Sequence, residues 1–296
     1  MPTLTRREFN GLAAGALAAA PFAARAQAPT SKIAGVRIGA QTYSFRDRSL
    51  DATIQAMASI GLSYCELWSP QVESRDVIVV PAGANRRQAT RTWRLETPLE
   101  FFAGVRRKFS DAGITLTAYN LSFESDWTDE EIARGFEMAK ALGVNVITAS
   151  SPVSIVPRLD AHAKRTGITV AFHNHSDITP DQFATADDFA TAMKGASDKI
   201  AINLDIGHFT AANFDALAYL DAHHDRIVSI HIKDRKKNQG ANVPFGEGDT
   251  PIIPVLRRLR DRKWDIPAQM EYEYKGTDAV AEVARCLDYC RRALLS

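Results

Sequence analysis

Eight times between Val36 and Leu294, a short aliphatic run of strand length gives way to a longer run with helical spacing. The predicted strands are 36–41, 63–67, 114–119, 144–149, 167–172, 200–205, 227–232 and 266–274. The clearest repeat is the stretch 200–234, where two aliphatic runs flank a predicted helix over 213–222, with Asn213 as its cap. A strand–helix–strand unit makes parallel neighbours. Eight such units close most simply into a (β/α)8 barrel, and about 250 residues is its ordinary size. A doubly wound dinucleotide fold would want a G-x-G-x-x-G turn after an early strand, and the chain has none.

The helix ends are signalled with varying strength. Thr128-Asp129-Glu130-Glu131 is a capping box that opens a helix to Leu142 and Gly143, Thr185 caps the helix that Gly195 ends, and Thr277 is the expected cap of the last one. Thr97-Pro98-Leu99-Glu100 reads as cap, first-turn proline and returning glutamate. Residues 69–96 are the least regular part, rich in arginine (Arg75, Arg86, Arg87, Arg91, Arg94), and read as a lid or a solvated insertion. Residues 235–249 read as a second long loop.

Residues 1–28 stand apart from this pattern. Thr5-Arg6-Arg7-Glu8-Phe9 precedes a small apolar run over 11–22 and the small-residue site Ala26-Gln27-Ala28. A membrane span needs about 20 apolar residues, so the expectation is a cleaved twin-arginine export signal, a periplasmic protein and a single catalytic domain over 29–296. The whole chain has 36 Lys+Arg and 35 Asp+Glu; without Arg6, Arg7, Arg25 and Glu8 it has 33 and 34, a charge of −1. Nothing in that balance points to nucleic acid or to an anionic membrane as partner. Cys65, Cys286 and Cys290 form no disulfide framework and read as buried thiols.

Barrel enzymes keep their chemistry at the C-terminal ends of the strands. The ionisable residues there are Glu66, His173, His175, Asp205, His208, His231, Lys233, Asp234, Glu271 and Glu273. Four of seven histidines, joined by Asp205 and Glu271, read as a metal site built by the second half of the barrel. Nitrogen and carboxylate donors without thiolate suit manganese, magnesium, cobalt, zinc or iron. Alternation places His231 and Lys233 on one face of their strand. Lys233 then either polarises a substrate oxygen or pairs with Asp205 or Glu271.

Asp205-Ile206-Gly207-His208, His231-Ile232-Lys233-Asp234, Gly246-Glu247-Gly248 and Met270-Glu271-Tyr272-Glu273 together resemble the sugar phosphate isomerase/epimerase superfamily of xylose isomerase-like TIM barrels. The resemblance covers roughly residues 36–294 and implies a divalent ion, manganese first, and a small carbohydrate substrate. It implies metal ligands after strands five to eight, of which Asp205, His231 and Glu271 match the family pattern. The fifth-strand position carries His173 where the family often has glutamate, with His175 its competitor as ligand. That turns expectation away from a mechanism built on two facing glutamates. The resemblance further implies Glu271 or Glu273 as the base and His175 or Lys233 as the acid. Glu66, Trp68, His208 and Glu247 are the expected substrate contacts.

A metal ion bridging a carbonyl and a hydroxyl acidifies the C–H between them, and the same site then serves isomerisation, epimerisation or β-elimination. The superfamily's endonuclease-four branch uses histidines from early strands, and here none precedes His162. A non-catalytic sugar-binding protein would have no need of Asp205 and Glu271. The oligomeric state is left open.

Overall fold

The computed structural model describes residues 30–74, 77–83 and 85–296. The expected export signal and Arg75 lie outside these residues. Eight parallel strands close on themselves: β1 (Val36–Gln41), β2 (Tyr64–Trp68), β3 (Thr115–Asn120), β4 (Val146–Ala149), β5 (Thr169–His173), β6 (Ile200–Asp205), β7 (Ile227–Ile232) and β8 (Ala268–Met270). Each pairs with its neighbour in sequence, and β8 pairs with β1 to complete the barrel, as the strand–helix repeat predicts. The two-residue strand Lys32–Ile33 adds antiparallel to β1.

The helices pack outside as α1 (Leu50–Ser59), α2 (Arg86–Glu96), α3 (Leu99–Asp111), α4 (Asp129–Leu142), α5 (Val156–Thr166), α6 (Ala186–Met193), α7 (Ile206–Ala211), α8 (Ala216–His223), α9 (Ile252–Arg262) and α10 (Ala279–Leu295). None of the described helices is long and apolar enough to cross a membrane. Strand alternation explains the two-layer core. Ile202 and Leu204 on β6 and Ile230 and Ile232 on β7 are fully buried on one face. The opposite, inward face carries Asn203, Asp205, Ser229 and His231, also buried, so the barrel interior is polar near its mouth. Cys65, Cys286 and Cys290 are free, buried thiols, as expected.

Several local expectations are corrected. The arginine-rich stretch, read as a lid or a solvated insertion without regular structure, contains a helix. Asn85 and Gln88 form a full capping box and start α2, whose Arg94 reaches the buried Glu73 at 2.6 and 2.7 Å and lies 4.3 Å from the centre of the Trp127 ring. Its few apolar residues hid a helix that long-range pairing holds. Thr97 ends that helix instead of capping the next one, and α3 begins without a side-chain cap.

Asn213 is not a cap either: its φ of +68° places it in the turn between α7 and α8, and Asp215 caps α8 by accepting from Leu217 and Ala218 at 3.0 Å. Asp278, and not Thr277, caps α10. The last strand stops at Met270 because the Tyr272 N–H turns to the Ser44 hydroxyl at 2.9 Å. Within the second long loop, Asp234–Arg235 and Asn242–Val243 pair antiparallel. Thr128 and Thr185 cap α4 and α6 as expected, each in a full box.

Candidate metal centre

β5, β6, β7 and the residue after β8 each deliver one buried side chain to the mouth. One ligand atom from each of His173, Asp205, His231 and Glu271 lies within 4.8 Å of all the others. His173 Nε2 is 3.2 Å from Asp205 Oδ2, and His231 Nδ1 is 3.0 Å from Glu271 Oε2. Of the two candidate histidines, His173 is the one that belongs to this cluster. β5 ends at His173, and Asn174 turns sideways to clamp β6: its Oδ1 accepts from the Asp205 N–H at 2.9 Å and its Nδ2 donates to the Asp205 carbonyl at 3.1 Å. His175 lies beyond that clamp, on the cavity wall and outside the four-residue cluster. Asp205 is fixed a second time, because its Oδ1 caps α7 by accepting from the His208 N–H at 2.6 Å.

His231 is held from both sides. Nδ1 donates to Glu271, and Nε2 donates to Glu66 Oε1 at 2.9 Å. Glu66 is completely buried and also accepts from Gln41 at 2.7 Å and Thr148 at 2.8 Å. The assignment of Glu66 as a substrate contact is therefore corrected: it lies below the mouth, behind His231, and orients that ring. Burial works against a charge on His231, but the Glu66 and Glu271 carboxylates outweigh it and raise the imidazolium to about 10.

Lys233 occupies the position where the carboxylates converge. Its ammonium is 2.6 Å from Glu273, 2.9 Å from Glu271 and 3.1 Å from Asp205, and only 2% of the residue is exposed. Of its two predicted roles the ion pair is the one present, and Lys233 does not line the cavity. Its pKa is raised because the three carboxylates overcome the burial penalty. Gly207 makes this arrangement sterically possible: a Cβ there would come 2.3 Å from Lys233 Cγ and 2.7 Å from its carbonyl oxygen.

His208 lines the cavity, its Nε2 3.0 Å from Lys233 and its Nδ1 2.8 Å from Arg235. Burial and the neighbouring Lys233 charge lower its pKa and keep the ring neutral, and a neutral ring has one lone pair, so one of the two contacts is a hydrogen bond and the other is not.

The cavity above the cluster measures about 330 Å3. Tyr43 and Trp68, packed edge to face at 4.9 Å, form part of its wall, and His175, His208 and Glu273 also line it. Gln41, Asn120, Ser122 and Ser150 complete it. Sequence reasoning missed these uncharged groups, although the same strand-end rule covers them. Glu247 is exposed and does not reach the cavity. The Gly-Glu-Gly segment instead wraps Asp234, which accepts from the Gly246, Gly248 and Thr250 amides at 2.7, 3.0 and 3.2 Å. The carboxylate fixes the loop and Glu247 is carried outward.

The cluster fits a divalent ion on its donor chemistry. Two imidazoles and two carboxylates converge, and the ring orientation of His231 is fixed from behind.

The model of the xylose isomerase-like TIM barrel family matches residues 54–291. The chain belongs to that family. Among curated relatives, the L-ribulose-5-phosphate 3-epimerase UlaE of Escherichia coli is 33% identical over 88 residues, 29% of this chain and 31% of the epimerase. The chain thus aligns with about a third of that relative's length. Among solved structures, the 3-keto-D-glucoside 4-epimerase YcjR of E. coli superposes with a TM-score of 0.64 at 14% identity, covering 87% of this chain and 99% of that one. The IOLI protein, solved with a zinc atom bound, gives 0.62 at 14% identity, covering 88% and 96%. At these identities the structures establish a shared barrel.

Proposed function

We propose that this barrel is a divalent-metal-dependent enzyme that removes a proton alpha to the carbonyl of a sugar or keto-sugar. The product is an isomer or epimer, and a β-eliminated product if a neighbouring oxygen substituent departs. The observation that carries the reading is the convergence of His173, Asp205, His231 and Glu271, with Glu273 and His175 left on the wall of a sugar-sized cavity. The two named epimerases support it, since C3 of a ribulose and C4 of a 3-keto-glucoside each lie next to a carbonyl. The zinc in IOLI supports a metal in this fold.

A divalent ion held by His173, Asp205, His231 and Glu271 would supply Lewis acidity to the substrate. The protein supplies the rest. Glu273, 2.6 Å from the Lys233 ammonium, is a carboxylate whose position is fixed and whose other oxygen is free to take the alpha proton. Glu271 is committed to His231 and Lys233, so Glu273 is the assigned base. Burial, followed by the charges of His173 and Lys233, pushes His175 down to about 4, so its ring is neutral at neutral pH. A neutral imidazole offers an N–H to a developing oxyanion or departing oxygen without a charge of its own. His208 and Trp68 position the sugar. With imidazole on the β5 side, the strong base stands on one face only, which favours single-base isomerisation or elimination over two-base epimerisation.

The test is a keto-sugar panel in deuterated water, before and after chelation. Turnover should need a divalent ion and should place solvent deuterium alpha to the carbonyl, and Glu273→Gln should abolish that exchange while metal content stays full. Turnover that survives complete metal removal would overturn the reading. Clean inversion at one carbon, without carbonyl shift or loss of substituent, would instead assign two-base epimerisation.

A further inference from the structure

Trp68 stands in the wall of two cavities. One is the mouth cavity of about 330 Å3; the other, about 990 Å3, opens between the start of α1 and the length of α3. Small-molecule sites span about 300 to 1,000 Å3, so the first is sized for one small ring and the second for a further unit. Resting on the function proposed above, we infer that the substrate is a neutral glycoside, its reacting ring over the metal centre and its second sugar or aglycone past Trp68 in the outer cavity.

The lining of that cavity sets the ligand class. Among the described lining residues, Arg46, Arg48, Arg107 and Lys108 are equalled in number by Asp47, Asp51, Glu100 and Asp111, and two pairs close directly, Arg48 with Asp47 at 2.7 Å and Lys108 with Asp51 at 2.7 Å. A phosphate is favoured by an excess of cationic donors, and a described lining with as many acids as bases offers no such excess. A neutral polyol suits both signs, since each hydroxyl donates and accepts. Trp68 and the partly exposed Phe101 add flat apolar surface for the C–H face of a sugar ring. Contacts remote from the reacting carbon are where binding energy for catalysis is gathered.

Gly104 of α3 provides the test, because it lines the outer cavity well away from the metal cluster. A Cβ there meets only Arg107 Nη2 at 3.7 Å, an ordinary contact, so a side chain added at this position starts free of clash. The experiment titrates 3-keto-D-glucose and 3-keto-trehalose by calorimetry into the full-length wild type, Gly104→Trp and Gly104→Ala. The wild type and Gly104→Ala should bind the disaccharide about tenfold tighter or better, and Gly104→Trp should lose that preference while holding the monosaccharide as before. Equal binding of both sugars by the wild type, or a preference that survives Gly104→Trp, overturns the inference. Turnover is scored separately. Preference without turnover of either sugar would retain the extended site and sink the proposed reaction, whereas turnover of the monosaccharide without preference would do the reverse.

Discussion

His173 and His175 differ by two positions and by what they can do. His173 shares the four-residue cluster, whereas His175 faces the cavity. Removing His173 should therefore deplete the metal, as should Asp205→Ala and His231→Ala, with activity lost in step. His175→Ala should keep full metal content and lose at least about a hundredfold in kcat, the usual loss for a proton-transfer or oxyanion partner. Metal analysis of the four purified variants checks this, and a metal-depleted His175→Ala would contradict the assignment.

A second prediction concerns His231 in metal-free protein. Its folded value near 10 lies above the ordinary value of about 6.5, so the stability it adds is fully present below about 6.5 and is lost as pH rises through about 10. The thermal midpoint of the chelated protein should fall over that alkaline range. Glu66→Gln, which removes one of the two carboxylates holding the proton, should flatten the fall.

At the scale of elements, the strand–helix repeat was readable because each unit carries its own periodicity and punctuation. The strand ends then named all four residues of the cluster. What could not be read was depth and distant pairing. Glu66 and Glu271 both end strands, yet only the three-dimensional stagger of the barrel puts one beneath His231 and the other beside the cavity. Lys233 reads equally as an acid or an ion pair until three carboxylates from two separate segments are seen to meet it. The helix α2 was missed for the same reason, since Glu73 and Trp127, which hold its Arg94, lie outside its own sequence. Arg94→Met leaves Glu73 buried without its partner and should cost about 3–5 kcal/mol. Chemical denaturation measures that loss, and a change below about 1 kcal/mol would show that the pair does not hold the helix.

For the whole molecule, we propose export by the twin-arginine route on the strength of Arg6-Arg7 and the short apolar run after them. Replacing both arginines with lysine should leave the precursor in the cytoplasm, as fractionation and immunoblotting would show. Equal arrival in the periplasm would remove the basis for that localisation.

Lys233 bears on how the molecule is made as well as on how it reacts. Small zinc domains depend on their ion to fold, because metal-free ligands leave them without a core. Here a resident ammonium already pairs with Asp205, Glu271 and Glu273, and the barrel's apolar layer does not involve the cluster. Assembly of the polypeptide and filling of the proposed metal site would thus be separable events. The chain should complete its fold in a metal-starved cell, and the proposed metal site would then fill with whichever divalent ion it met afterwards.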